Sequence, residues 1–237
     1  MSYIRIIILA MVAMTLLSVS ALDASAEVIY SNDFTLGAGS GWSNSSTAFR
    51  NGEYFLGATE QGFGNGSDVL SLSTMPAHTQ VTVSFDLYII QSWDGNGAWG
   101  GGPDNWQLKA DGKNLLYTNF ANYANGNTQA YSSQLAPYGS GGSNDPMSGA
   151  FTTNHLGYGT GDWGDTTYRF SFTFDHTAST LDLAFISYQG QLPGDEGWGL
   201  DNVSVVTSVP EPSTGLLLGI GGIALYAFSR RKYEWVV

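Results

Sequence analysis

A two-residue alternation constrains this chain more than any other feature. Val81, Val83, Phe85, Leu87 and Ile89 put apolar side chains on one side, while Thr82, Ser84, Asp86 and Tyr88 occupy the other. Successive side chains of a strand point to opposite faces, so the pattern specifies a strand with one buried face. Tyr168, Phe170, Phe172 and Phe174 alternate with Arg169, Ser171, Thr173 and Asp175 in the same way, and Leu181, Leu183 and Phe185 form a third run. Shorter candidates are Val28 to Phe34, Tyr54 to Leu56, Val69 to Leu72, Trp106 to Ala110, Leu115 to Asn119 and Leu200 to Val206. The count is about nine strands, with no amphipathic helix in the body. One-faced strands must pack on a second sheet, so the expected fold is all-β, a jelly-roll-like β-sandwich.

Both ends fall outside that pattern. Met1 to Leu17 is almost continuously apolar with one cation, Arg5, and Ala24-Ser25-Ala26 follows. Small residues at those positions are what a signal peptidase reads, so residues 1–26 are expected to be a cleaved signal peptide. An uncleaved membrane helix is the alternative, for which the apolar stretch is short. The body is then 27–207, and 208–237 a separate C-terminal segment. Within the body, Ala121 to Asp165 is rich in Gly, Asn, Ser and Tyr and lacks alternation, which suggests a binding loop or flap projecting from the sandwich.

Charge and residue usage narrow the chemistry. The chain has 20 Asp+Glu against 8 Lys+Arg, and the only cations of the body are Arg50, Lys109, Lys113 and Arg169. Such a surface repels phosphate backbones, so nucleic acid is not an expected partner. The absence of cysteine removes thiolate nucleophiles and thiolate metal sites. His78, His155 and His176 each stand alone in sequence, without triad or metal-ligand spacing. Gly95 to Gly100 matches the dinucleotide glycine pattern, but nothing helical follows it. No strand carries the alternating carboxylates of sandwich-fold glycosidases, and Glu53, Glu60 and Glu196 are the only glutamates in the body after its first residue. The expectation is a non-catalytic protein, with a polysaccharide hydrolase as the less favoured alternative.

The C-terminal segment has a distinctive order of parts. Pro210-Glu211-Pro212 breaks the preceding strand, Thr214 to Phe228 is an apolar run, and Arg230-Arg231-Lys232 follows. The run can form a short transmembrane helix over 214–228, with the basic cluster held on the cytoplasmic side. This arrangement resembles the PEP-CTERM sorting signal of Gram-negative bacteria that make exopolysaccharide. The resemblance implies recognition by a membrane-embedded exosortase, an inner-membrane intermediate, and release or transfer to the cell surface or extracellular matrix. Tyr233 to Val237 trail the basic cluster, where such tails usually end.

Two sets of body residues carry binding chemistry. Asp94 and Asn96 end a strong strand among glycines, Asp104-Asn105 follows a glycine loop, and Asp195, Glu196 and Asp201 lie around the start of the last strand. Calcium collects six to eight oxygens from such groups, although polar turns capped by Asx hydrogen bonds use the same residues. Asp201 lies two before Val203 and four before Val205, which assigns it to their face, and a buried carboxylate there needs a cation or hydrogen bonds. The last strand, Trp198 to Val205, is similar to that of carbohydrate-binding and galactose-binding-like modules. That resemblance implies a structural calcium on Asp201, with Asn32 and Asp33 of the first strand as further ligands. Trp99, Trp106, Tyr123, Tyr131, Tyr138, Tyr158 and Trp163 lie in or beside loops, where aromatic rings can stack on sugars. The expectation is an exported protein of the exopolysaccharide or biofilm layer that binds polysaccharide. A structural or adhesion protein acting through protein contacts is the alternative.

Overall fold

The structure is a computed structural model that describes residues 26–97, 101–124, 126–131, 143–161 and 163–208. Residues 1–25 of the expected signal peptide, the sorting motif from Pro210 to Lys232, the 214–228 helix, Trp99 and Tyr138 lie outside the described residues. Glu27–Thr207 forms one compact unit. No helix among the described residues is long and apolar enough to cross a membrane.

Eleven strands build that unit: β1 (Ala26–Asn32), β2 (Thr47–Arg50), β3 (Glu53–Leu56), β4 (Gly66–Leu72), β5 (Gln80–Gln91), β6 (Asn105–Ala110), β7 (Lys113–Asn119), β8 (Thr152–Thr153), β9 (Asp165–Asp175), β10 (Leu181–Tyr188) and β11 (Glu196–Ser208). The nine expected strands are among them, and β2 and β8 are additional. One sheet runs β2-β3-β11-β5-β9-β8 with β1 paired to β11, and the other runs β4-β10-β6-β7. The β5–β9 ladder is antiparallel along its whole length, from Gln80↔Asp175 to Ile90↔Asp165. Asp111-Gly112 turns the β6–β7 hairpin with both residues at positive φ, which these residue types tolerate.

The core fills the space between the sheets. The alternating face of β5, from Val81 to Ile89, is buried there with Trp106, Leu108, Phe170, Leu183, Phe185 and Val203. Phe85 sits at its centre, with its ring centroid 5.3 Å from both Phe170 and Phe185 and 5.9 Å from Trp106. A smaller cluster of Ala48, Phe55, Tyr88, Ile90 and Leu156 forms on the opposite face of β5. Part of the 121–165 excursion supplies its cover. Leu156 is buried in it, Arg50 Nε donates to the Leu156 carbonyl at 3.0 Å, and the Tyr158 hydroxyl donates to the Glu60 carbonyl at 2.5 Å.

Two expectations need correction. Asp201 does not share the face of Val203. Asn202 sits in the left-handed region at φ 51°, a local irregularity that breaks the alternation, so Leu200 joins Val203 and Val205 in the core. Asp201 is buried on the other face, where it accepts the Tyr88 hydroxyl at 3.0 Å. His78 and His176 are also not solitary, since their Nε2 and Nδ1 atoms are 2.7 Å apart.

Candidate functional site

The ends of β5 and the start of β11 meet through their backbones. The Ser92 N–H donates to the Asp195 carbonyl at 2.9 Å, and Trp93 Nε1 donates to the Gly197 carbonyl at 2.7 Å. Gly197 is required by close approach, because a side chain there would collide with the Gln61 carbonyl. This junction delivers Asp94 and Glu196 to one place. The loop after β5 returns through Asp104, whose N–H donates to the Gly95 carbonyl at 3.0 Å and whose carboxylate accepts the Asp94 N–H.

Asp94, Asp104 and Glu196 therefore converge, each offering a carboxylate oxygen within 4.8 Å of the others. All three are buried, Asp104 and Glu196 completely. Asn127 Nδ2 donates to Asp94 Oδ1 at 3.0 Å, and Gln191 Nε2 donates to Glu196 Oε1 at 2.9 Å. Asp104 Oδ1 and Glu196 Oε2 make no hydrogen bond to a donor among the described residues. None of the ion pairs among those residues involves the three carboxylates.

Burial is the first cause pushing all three carboxyls above the usual range, and neighbouring carboxylates raise them further. The Asp104 and Glu196 carboxyls can hydrogen-bond to each other only when one of them is protonated. The cluster thus has two satisfied states, a shared proton or a bound cation. The donor set suits a hard cation such as calcium, since all the groups are oxygens. Nearby, Gln189 Nε2 donates to the Glu196 carbonyl at 2.9 Å, and its buried Oε1 has no hydrogen-bond partner among the described residues. Gly101 leaves room beside the cluster, where a side chain would strike the Asp94 carboxylate.

An open cleft of about 250 Å³ lies against this cluster, lined by Ser92, Asp94, Tyr123, Trp163, Gln191 and Asp195. Trp163 is 58% exposed. Asp195 accepts the Ser92 hydroxyl at 2.9 Å. Asp94 belongs to both the cleft wall and the carboxylate cluster, which couples the two. A larger cleft, of about 520 Å³, lies between β1 and β4 and is lined by Ile29, Tyr30, Asn32, Leu72 and small residues. It contains no charged side chain, so the chemistry favours the smaller one.

The expected ligand residues are dispersed by the fold. Asp94, Asp104 and Glu196 come together, and Asp195 borders the same cleft as Asp94. Asn96 is spent on Thr128 Oγ1 at 2.8 Å and on Asn119 Nδ2 at 2.7 Å. Asn32 donates to the Gly37 and Ala38 carbonyls and accepts the Phe34 N–H, and Asp33 caps the Thr35 N–H in an exposed turn. Asp201 is occupied by Tyr88 and Asn202. Burial pushes its carboxyl up to about 6, although those hydrogen bonds act against it.

Of the aromatic candidates, Tyr123 and Trp163 line the cleft. Trp106 is buried in the core against Phe170 and Trp198 and cannot stack on a soluble ligand. Tyr131 packs on Phe120, Tyr168 and Phe170. Tyr158 lies under the Arg50 guanidinium, 3.7 Å from its ring centroid.

Solved structures similar to this chain include the dimeric latent PorU of Porphyromonas gingivalis, at 13% identity and TM-score 0.38. That match covers 81% of this chain and 14% of that one. The K3 cleaved adhesin domain of Lys-gingipain, from the same organism, matches at 13% identity and TM-score 0.36 over 77% of this chain and 99% of that one. A family 35 carbohydrate-binding module of Clostridium thermocellum matches at 10% identity and TM-score 0.33 over 77% and 98%. Likenesses this distant bear on neither ligand nor chemistry. No curated protein matches the chain. Residues 208–232 match the PEP-CTERM protein-sorting motif, so the strand that ends the sandwich runs directly into a signal for export and surface sorting.

Proposed function

We propose that this is an exported cell-surface or matrix protein whose sandwich binds polysaccharide without catalysis, at the Tyr123–Trp163 cleft. The observation that carries the reading is an exposed tryptophan and a tyrosine sharing one cleft with Asp94, Asp195 and Gln191. Ring faces stack on the C–H faces of sugars, and carboxylates and amides hydrogen-bond the hydroxyls. A calcium ion held by Asp94, Asp104 and Glu196 would neutralise the buried carboxylates and fix the Asp94 wall of the cleft. On this reading, the signal peptide is removed by signal peptidase, exosortase acts at the tail while it spans the inner membrane, and the protein then serves the exopolysaccharide or biofilm layer.

Affinity electrophoresis through gels loaded with different bacterial polysaccharides tests this. Retardation by at least one polysaccharide, abolished by Trp163→Ala, is expected. Equal retardation of both proteins would place the binding elsewhere, and free migration of both through every gel would leave the adhesion role as the better account.

A second reading has one specific support: Asp94 and Asp195 are two carboxylates in the same aromatic cleft, as a glycoside hydrolase requires. Release of reducing ends from a bound polysaccharide, lost in Asp195→Asn, would establish it.

A further inference from the structure

We propose that His78 and His176 hold one extra proton between them and act as a proton-dependent clip at one end of the sandwich. Three hydrogen bonds run in series. His78 Nδ1 lies 2.6 Å from the Pro76 carbonyl, His78 Nε2 lies 2.7 Å from His176 Nδ1, and His176 Nε2 lies 3.1 Å from Asp111 Oδ2. The ring planes differ by only 14°, which lets an N–H point along the line between the rings. A carbonyl can only accept, so His78 Nδ1 carries hydrogen. Asp111 Oδ1 already accepts the Asp182 N–H at 3.0 Å. Its carboxylate is therefore an acceptor at both oxygens, and His176 Nε2 must donate. One more hydrogen lies between the rings. Three protons on four nitrogens make the pair a single cation, whereas two neutral imidazoles would carry two protons.

The hydrogen-bond chain, not the solvent, sets that count. The charged groups at this end of the sandwich are Asp111 in the β6–β7 turn, Asp175 at the end of β9 and Asp182 in β10, with Lys109 near the end of β6 and Lys113 opening β7. Asp175 accepts Gln80 Nε2 at 3.1 Å. Both imidazoles are largely withdrawn from water. Losing the third proton leaves one of the three contacts without a hydrogen. Gaining a fourth sets two N–H groups against each other at the inter-ring contact. The clip is therefore complete at one proton count and weaker on either side of it.

It ties together three connections, those between β4 and β5, β6 and β7, and β9 and β10. This end of the sandwich lies opposite the cleft, and it is the end at which β11 terminates. Adding or removing a proton at the clip would loosen the loops at that end of the sandwich.

Nitrogen NMR of the full-length protein in detergent, with ¹⁵N-labelled histidine, reads the count directly. At neutral pH the expected result is three protonated nitrogens of the four, with a scalar coupling between His78 Nε2 and His176 Nδ1. In Asp111→Asn, which removes the balancing anion, the count should fall to two. Two protonated nitrogens in the native protein, or two rings titrating independently without coupling, would overturn the proposal. Amide exchange gives a second readout: His176 N–H, bonded to the Thr79 carbonyl at 3.0 Å, should be most protected at intermediate pH after correction for the intrinsic rate. Protection that changes in one direction only across the pH range would contradict the clip.

Discussion

Asp104 and Glu196 are completely buried and turn their carboxyls toward each other, with no cationic side chain paired to either. Two like charges in that position cannot both persist without compensation. The compensation is either a proton or a metal ion, and the two make different predictions.

Calcium should stabilise the native protein by mass action. At a hundredfold excess over Kd the gain is about 2.7 kcal/mol, and for a domain of this size that raises Tm by roughly 5–10 °C. Glu196→Gln should lose most of that response while folding normally in chelator, because the amide removes one buried charge and keeps the shape. Differential scanning calorimetry with calcium and with chelator checks both proteins.

The metal-free protein should lose stability as pH rises. Carboxyls raised in the folded state bind more protons than in the unfolded chain, so their contribution is complete at low pH and falls as pH climbs through and above the ordinary carboxylate range. Asp201, pushed up to about 6, adds a decline of the same sign that ends near that value. Calcium should remove the part due to the cluster and leave the part due to Asp201. Urea midpoints measured across pH, with and without calcium, separate the two.

Trp163 and Trp106 should respond oppositely to substitution. Trp163→Ala should abolish polysaccharide binding and change stability by less than about 0.5 kcal/mol, as an exposed side chain would. Trp106→Ala empties the centre of the core and should cost about 3–5 kcal/mol. Chemical denaturation of both variants tests the assignment of one ring to the ligand and the other to the fold.

Tyr88→Phe should cost about 1–3 kcal/mol, because it leaves Asp201 Oδ2 with only the 3.3 Å contact from Asn202 Nδ2. The loss should be larger above about pH 6, where Asp201 is ionised. A penalty independent of pH would mean that the hydroxyl serves packing rather than the carboxylate.

How much of this was legible in the sequence follows from the range of each interaction. The alternation in β5, β9 and β10 is local, and those strands lie where it puts them. Strand β2 escaped because its apolar signal is weak: of Thr47 to Arg50, Phe49 is exposed and only Ala48 is buried. Alternation assigns Asp201 to the wrong face because Asp-Asn-Val does not reveal that Asn202 takes a positive φ. The pairing of His78 with His176, 98 residues apart, and the return of Asp104 to Asp94 and Glu196 depend on the fold closing. Glycine-flanked carboxylates pointed to the neighbourhood of the cluster. They could not say that Asn32 and Asp33 would be consumed by their own turn.

The central claim joins the carboxylate cluster to the cleft through Asp94, and titration of the purified protein with a retained polysaccharide tests it most directly. The measurement is made by calorimetry, first with calcium, then with chelator, then with calcium restored. The account predicts saturable binding that disappears on chelation, returns with calcium, and is insensitive to calcium's presence in Glu196→Gln. Full-strength binding in chelator would contradict it, because the carboxylates would then be a proton-sharing element of the fold with no part in holding the ligand.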